Sequence, residues 1–249
     1  MESLFYLREY LFPQGCGVCG KALFTAHEAN FGLCGSCMDF FTSALDQETR
    51  CGICGKPLIS EKGTCLSCRE RAGFNGGTYN EQLVRLYTLY PYMGKFRALL
   101  GAYKFKKSIA VGNFLVYSLG LAMKELLARP EWARIQDEAV WVPVPPRPGK
   151  LKKQGWDQIE FLAKLMERDR GGLALRRCLK RLHSRTQKEL NREDRGKNLT
   201  GRIICTRPPP KTAILLDDVI TTGSTLNACA QALLEGGAER VFGVCLFFD

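Results

Sequence analysis

The stretch that most constrains how this chain can fold runs from Ala213 to Thr225 and reads A-I-L-L-D-D-V-I-T-T-G-S-T. Four apolar residues, two aspartates, two more apolar residues and a hydroxyl- and glycine-rich turn follow in that order. The apolar run is short and does not alternate, so it predicts a strand buried on both faces, as in a parallel sheet. Ligands of such sheets bind beyond the carboxyl ends of the strands. Asp217 and Asp218 fall at that end, and a helix is expected to start at about Ser224.

The residue types point to a sugar-phosphate. Gly223 permits a tight backbone, and the free N–H groups of the helix start suit a phosphate, helped by the hydroxyls of Thr221, Thr222, Ser224 and Thr225. Two carboxylates one step earlier suit the vicinal hydroxyls of a ribose and can help hold Mg²⁺ through water. The other reading is a capped helix after a strand, with the aspartates merely solvated. An apolar run followed by D-D, two apolar residues and T-T-G-x-T resembles the phosphoribosyl-pyrophosphate (PRPP) loop of type I phosphoribosyltransferases.

A second constraint lies at the other end of the chain. Of twelve cysteines, eight form four C-x-x-C pairs before residue 69. Cys16-Gly-Val-Cys19-Gly-Lys-Ala-Leu recurs thirty-five positions later as Cys51-Gly-Ile-Cys54-Gly-Lys-Pro-Leu, and the copies are followed by Cys34/Cys37 and Cys65/Cys68. The two-residue spacer lets both sulfurs of a pair reach one ion, and two such knuckles close a tetrahedral site with no open position. The repeat therefore predicts two structural zinc ions. Pairing within each repeat is the first reading, and a cross-braced arrangement, in which the first knuckles of the two repeats share an ion, stays open. His27 reads as a surface residue, since both sites are complete without it.

Residues 69–80, R-E-R-A-G-F-N-G-G-T-Y-N, are polar and glycine-rich. They divide the chain into residues 1–72, an N-terminal helix with a double zinc ribbon, and residues 78–249, an α/β domain. No run of about 18 apolar residues suggests a membrane span. The N-terminus carries Glu2, Arg8 and Glu9 among its apolar residues and reads as an amphipathic helix ending before Pro13, not a secretory signal. A cytoplasmic protein with reduced thiols is expected, which disfavours disulfides. The net charge of +11 favours anionic partners such as pyrophosphate or nucleic acid, although it also serves solubility.

Between these landmarks, Tyr87, Tyr90, Tyr92, Lys95, Phe96, Arg97 and Tyr103 to Lys107 interleave aromatic and basic residues. They either stack the bases of a single strand or place their rings in a core and their lysines in water. Residues 109–129 read as a helix stopped by Pro130, and Ala139 to Val144 as a strand whose end, Pro143-Val-Pro-Pro-Arg147-Pro, cannot continue a ladder. Arg147, beside Lys150, Lys152 and Lys153, suits a second anion such as pyrophosphate, or else this is a solvated turn. Asp157 caps a helix to Arg168. Residues 176–201 are polar and charged, suiting either a flap over a site or a solvated hairpin or helix. The last helix is expected to run to about Leu234 and the last strand from Val241 to Phe248. Cys178, Cys205, Cys229 and Cys245 are isolated and fit ordinary packing.

Taken together, the paired knuckles, V-P-V-P, the segment R-x-x-S-R-T-Q-K-E-L-x(4)-R-x-x-N-L and the PRPP loop resemble the ComF family of competence-associated, phosphoribosyltransferase-like proteins. The resemblance covers nearly the whole chain. It implies an α/β fold, a type I phosphoribosyltransferase-like parallel sheet with flanking helices, preceded by a small double zinc ribbon with four cysteines to each ion. It implies PRPP or a related ribose 5-phosphate as ligand, magnesium with it, and a link to single-stranded DNA and the competence machinery in natural transformation. Asp217 and Asp218 would contact the ribose hydroxyls, Thr221, Thr222, Gly223, Ser224 and Thr225 the 5′-phosphate, and Arg147 the pyrophosphate side. Thr186, Gln187, Arg195 and Asn198 match the family pattern in the flap, and Lys104 its usual lysine before an aromatic residue.

One segment departs from that pattern. Where the family reads R-G-F-N-Q, this chain has Gln154-Gly-Trp-Asp157-Gln158, so an anion contact there would need Lys152 or Lys153 in its place. As an enzyme, the protein would displace pyrophosphate from PRPP with an unidentified acceptor. As a binding module, it would hold single-stranded DNA or sense PRPP.

Overall fold

In the computed structural model, the described residues are 14–45, 49–51, 55–58, 60–66, 68–69, 83, 85–128, 130–135, 138–168, 174–182 and 202–249. The expected amphipathic N-terminal helix, most of the 69–80 boundary, Cys54 and the flap residues Thr186, Gln187, Arg195 and Asn198 lie outside them.

Four parallel strands form the central sheet among the described residues: β1 (Leu86–Pro91), β2 (Ala139–Pro143), β5 (Thr212–Ile220) and β6 (Arg240–Phe248), in the order β1-β6-β5-β2. The continuous apolar runs of β5 and β6 place them in the middle, where both faces are covered. Side chains alternate between two cores. Ile214 and Leu216 join Leu89, Phe242 and Val244 on one face, while Ala213 and Leu215 join Val142 and Val241 on the other.

Helices cover each face. The first core is closed by α3 (Gly94–Lys104), α4 (Ile109–Leu127) and α6 (Gln158–Arg168), which follows the short α5 (Lys150–Gln154). The second is closed by α7 (Ser224–Glu235) and the antiparallel hairpin of β3 (Leu179–Arg181) and β4 (Ile203–Cys205). Helix α4 starts at Ser108, whose hydroxyl accepts the Val111 N–H, and ends at the Ala128 cap just short of the expected Arg129. By length and composition α4 is apolar enough to cross a membrane, although polar residues interrupt its apolar run. Its Phe114, Leu115, Leu119, Ala122 and Leu126 are buried in the first core instead.

The cysteine-rich part is built into the sheet domain. It contributes α1 (Ala26–Phe31), with Thr25 and Glu28 forming a reciprocal capping box, and α2 (Gly35–Ser43). The rings of Phe31 and Phe41 both pack near Phe114 of α4, the first edge to face and the second tilted, and the first repeat shares the first core. The second repeat joins the second core beside Leu86. Arg50 donates to the Thr88 carbonyl at 2.7 Å and lies 4.2 Å over the Tyr87 ring. The two repeats thus flank edge strand β1, whose open side would otherwise invite pairing with another chain.

One strand expectation changes. Strand β5 does not end at Leu216 but continues to Ile220, because β6 runs on beside it and pairs Asp217 with Cys245 and Val219 with Phe247. The start of the polar 176–201 segment takes the hairpin form that was one of its two readings, since β3 pairs with β4 there. The expected last helix and last strand are present, with Gly236 capping α7.

Candidate functional site

Proline creates the opening at the acidic pair. Strand β2 stays in register with β5 as far as Pro143 opposite Leu216, and the Val144 N–H makes the last link, to the Leu216 carbonyl at 3.0 Å. Pro145 and Pro146 have no N–H to give, so the chain leaves the sheet. Asp217 and Asp218 therefore keep β6 on one side and lose their neighbour on the other. Above that edge lies a cleft of about 1070 Å³.

The cleft gathers residues from distant parts of the chain. Asp217, Asp218, Thr221 and Thr225 come from β5, its turn and the start of α7. Arg147 comes from the proline loop, Lys104 from the end of α3, and Lys150 and Lys153 from α5. Of the residues expected at the site, these include both aspartates, Arg147, Lys104, Thr221 and Thr225. Thr222, Gly223 and Ser224 form the turn beside the cleft without lining it. There the Thr222 and Ser224 hydroxyls lie 2.9 Å apart, and Gly223 takes the left-handed conformation at φ 75° that precedes the helix. Arg195 lies outside the described residues.

The acidic pair turns partly onto its own backbone. Asp217 Oδ1 accepts the Asp218 N–H at 2.8 Å, and Asp218 Oδ1 accepts the Val219 N–H at 2.9 Å. Burial, and then the charge of Asp218, push the Asp217 carboxyl well above the usual carboxylate range. Asp218 Oδ2 receives the Lys104 ammonium at 3.2 Å. Tyr103 is fully buried and donates to the Gln158 carbonyl at 2.6 Å, which fixes the end of α3 that carries Lys104. Mg²⁺ fits this arrangement poorly: Lys104 already meets one carboxylate, and both carboxylates accept backbone N–H groups.

The departing segment has a defined local role. Asp157 Oδ1 accepts the N–H groups of Ile159 and Glu160 at 3.1 Å each, so Asp157 is the expected N-cap. Its Oδ2 receives Lys150 Nζ at 2.7 Å, and Lys150 also bonds the Gln158 side chain. Lys150 therefore neutralises the carboxylate that replaces the amide. Of the two lysines expected to substitute in the anion contact, Lys153 lines the cleft and Lys152 does not. Lys107, at φ 52°, donates to the Gln154 carbonyl at 3.2 Å.

Lys107, from the aromatic and basic stretch, also lines the cleft, and so does Arg181, which was not expected there. Arg181 is half-buried, and burial, then the neighbouring Arg147 guanidinium, lower it from the ordinary arginine value. Its only sequence signal is its place at the head of the R-x-x-S motif; the β3-β4 hairpin brings it to the site.

The aromatic and basic stretch divides. Tyr87, Tyr90 and Tyr103 are buried in the core, whereas Phe105 is 76% exposed at the cleft wall between Lys104 and Lys107. Lys95 lies over the Phe40 ring and Arg97 over the Tyr92 ring.

In the N-terminal part, the Cys16, Cys19, Cys34 and Cys37 sulfurs all lie within 4.8 Å of one another, as do those of Cys51, Cys65 and Cys68. Sulfurs thus group within each repeat. Burial opposes ionisation of Cys16, but the N–H groups of Cys19, Cys34 and Val18 outweigh it and bring that thiol down to about 7. The first set matches a closed tetrahedral zinc site. His27 is exposed and meets the Phe31 ring edge to face. Cys178, Cys229 and Cys245 are buried, and burial raises each thiol.

Residues 7–69 match the double zinc ribbon domain family. Competence protein F of Haemophilus influenzae is 27% identical over 86% of this chain and 90% of its own length. A DNA utilization protein YhgH of Escherichia coli O157:H7 is 26% identical over 94% of this chain and 96% of its own. Competence protein ComFC of Streptococcus pneumoniae is 28% identical over 84% of each chain.

Proposed function

We propose, for a chain homologous over most of its length to competence protein F, ComFC and YhgH, that it is a cytoplasmic phosphoribosyltransferase-like protein that binds PRPP and acts in DNA uptake during natural competence. The observation that carries this reading is the meeting, in one cleft at the carboxyl end of a central parallel strand, of Asp217 and Asp218, Thr221 and Thr225 at the two ends of the turn, and Arg147. The aspartates take the ribose 2′- and 3′-hydroxyls, the turn and the start of α7 take the 5′-phosphate, and Arg147 takes the pyrophosphate.

Such a site catalyses by position and charge. An acceptor displaces pyrophosphate from C1′ through an oxocarbenium-like state, and no side chain of the protein needs to attack. The basic groups around the leaving pyrophosphate stabilise its growing charge. The zinc ribbons support β1 and the cores on both sides of it, and hold the fold rather than the reaction.

Calorimetric titration with PRPP tests this reading. The wild-type chain binds, whereas the double variant Asp217→Asn, Asp218→Asn loses PRPP and keeps its zinc. Unchanged PRPP affinity in that variant overturns the placement of the ribose.

A second reading, a non-enzymatic single-stranded DNA-binding module, is favoured by exposed Phe105 among lysines at the cleft wall. It requires oligonucleotide binding that weakens steeply with salt, and a flat salt dependence removes it.

A further inference from the structure

The cleft carries its own cations at the place where a divalent ion would be expected. Lys104 Nζ stands 3.2 Å from Asp218 Oδ2, with the two side chains 32% and 19% exposed. A cation approaching Asp218 meets an ammonium already in position. Magnesium is poorly suited to displace it, because it requires near-octahedral oxygen ligands and gives up its waters reluctantly. Asp218's second oxygen is engaged by the Val219 N–H.

The cleft as a whole is basic. Six cationic side chains line it, Lys104, Lys107, Arg147, Lys150, Lys153 and Arg181, against the carboxylates Asp157, Asp217 and Asp218. Lys150 is held by Asp157 and Lys104 by Asp218, but Arg147 and Arg181 form no ion pair among the described residues. Two guanidiniums lining one cleft without a direct carboxylate partner leave a charge that a diphosphate would satisfy, and each can grip its oxygens in a bidentate manner.

We propose that this cleft binds its sugar diphosphate without a divalent cation, with Lys104 standing in for the metal at the acidic pair and Arg147 and Arg181 facing the diphosphate. The inference rests on the PRPP reading and adds to it what neutralises the ligand.

The test uses the full chain, zinc-loaded, titrated with PRPP in buffer passed over a chelating resin and again with millimolar Mg²⁺, with zinc content measured afterwards. The wild-type affinities in the two buffers should agree within about threefold. Lys104→Met should bind about tenfold or more weakly in the magnesium-free buffer, with part of the loss recovered when Mg²⁺ is added. Lys104→Arg, which keeps the charge, should behave as wild type. Wild-type binding that appears only with Mg²⁺ overturns the inference and leaves the PRPP reading standing, as does a Lys104→Met variant indistinguishable from wild type without metal. No PRPP binding in either buffer overturns the ligand assignment itself, and the inference with it.

Discussion

Gly20 and Gly55 hold the same position in the two cysteine repeats, directly after the second cysteine of the first knuckle, and both are left-handed, at φ 79° and 69°. Their surroundings differ. A Cβ on Gly20 would meet nothing within 4 Å, whereas one on Gly55 would run into the Leu86 carbonyl oxygen and stand 2.7 Å from Tyr87 Cα. An L-residue in the left-handed region costs about 1–2 kcal/mol. Forcing a methyl group into a filled contact adds about 1–3 kcal/mol, and the obstacle here is the backbone of β1, which cannot rotate away. Gly20→Ala should therefore destabilise the protein by about 1–2 kcal/mol and Gly55→Ala by about 2–5 kcal/mol. Urea unfolding of the two variants beside wild type, with zinc measured on each, gives the comparison. Because β1 leads straight into α3, which ends at Lys104, Gly55→Ala should also weaken PRPP binding while Gly20→Ala leaves it unchanged. Equal losses of stability in the two variants would refute the docking of the second repeat on β1, since the shared left-handed strain would then account for both.

Two further outcomes are expected. Metal analysis should return two zinc ions per chain, and Cys19→Ser, which breaks the first set of thiols, should lower that value toward one; retention of both ions would mean that Cys19 is not a ligand. Because burial and Asp218 raise the Asp217 carboxyl above its unfolded value, the folded chain keeps a proton there that the unfolded chain has released. Stability should accordingly fall as pH rises from the ordinary carboxylate range toward the raised value, and Asp217→Asn should unfold at higher urea than wild type at neutral pH, with a flatter pH profile. Matching profiles for the two proteins would contradict this.

Those residues of the site that follow one another in the chain were legible in advance. Asp217, Asp218 and the Thr221 to Thr225 turn share one strand, turn and helix start, and local rules for buried strands and helix N-termini act over that length. The cysteine repeat was legible for a similar reason, because a two-residue spacer fixes how two sulfurs can meet one ion. Arg181 was not, because it reaches the cleft only through the β3-β4 hairpin lying against α7. The meaning of Gln154-Gly-Trp-Asp157-Gln158 was half legible: a carboxylate in place of an amide was plain, but its partner, Lys150, depends on how α5 turns into α6. The aromatic residues before Lys107 could not be divided between core and surface from composition. A buried tyrosine and an exposed phenylalanine obey the same local preferences, and burial is decided by what packs over them.

The amino-acid order by itself determined the buried parallel strand, the acidic pair at its end, the glycine turn into a helix and the two sets of metal-spaced thiols, because each depends on contacts within about a dozen residues. Tertiary structure alone decided that β5 continues through the aspartates, that Lys104 already holds Asp218, that Arg147 and Arg181 line one cleft, and that the repeats flank β1. Each of these joins residues far apart in the chain, and only the packing of the sheet and its two cores sets where such residues meet.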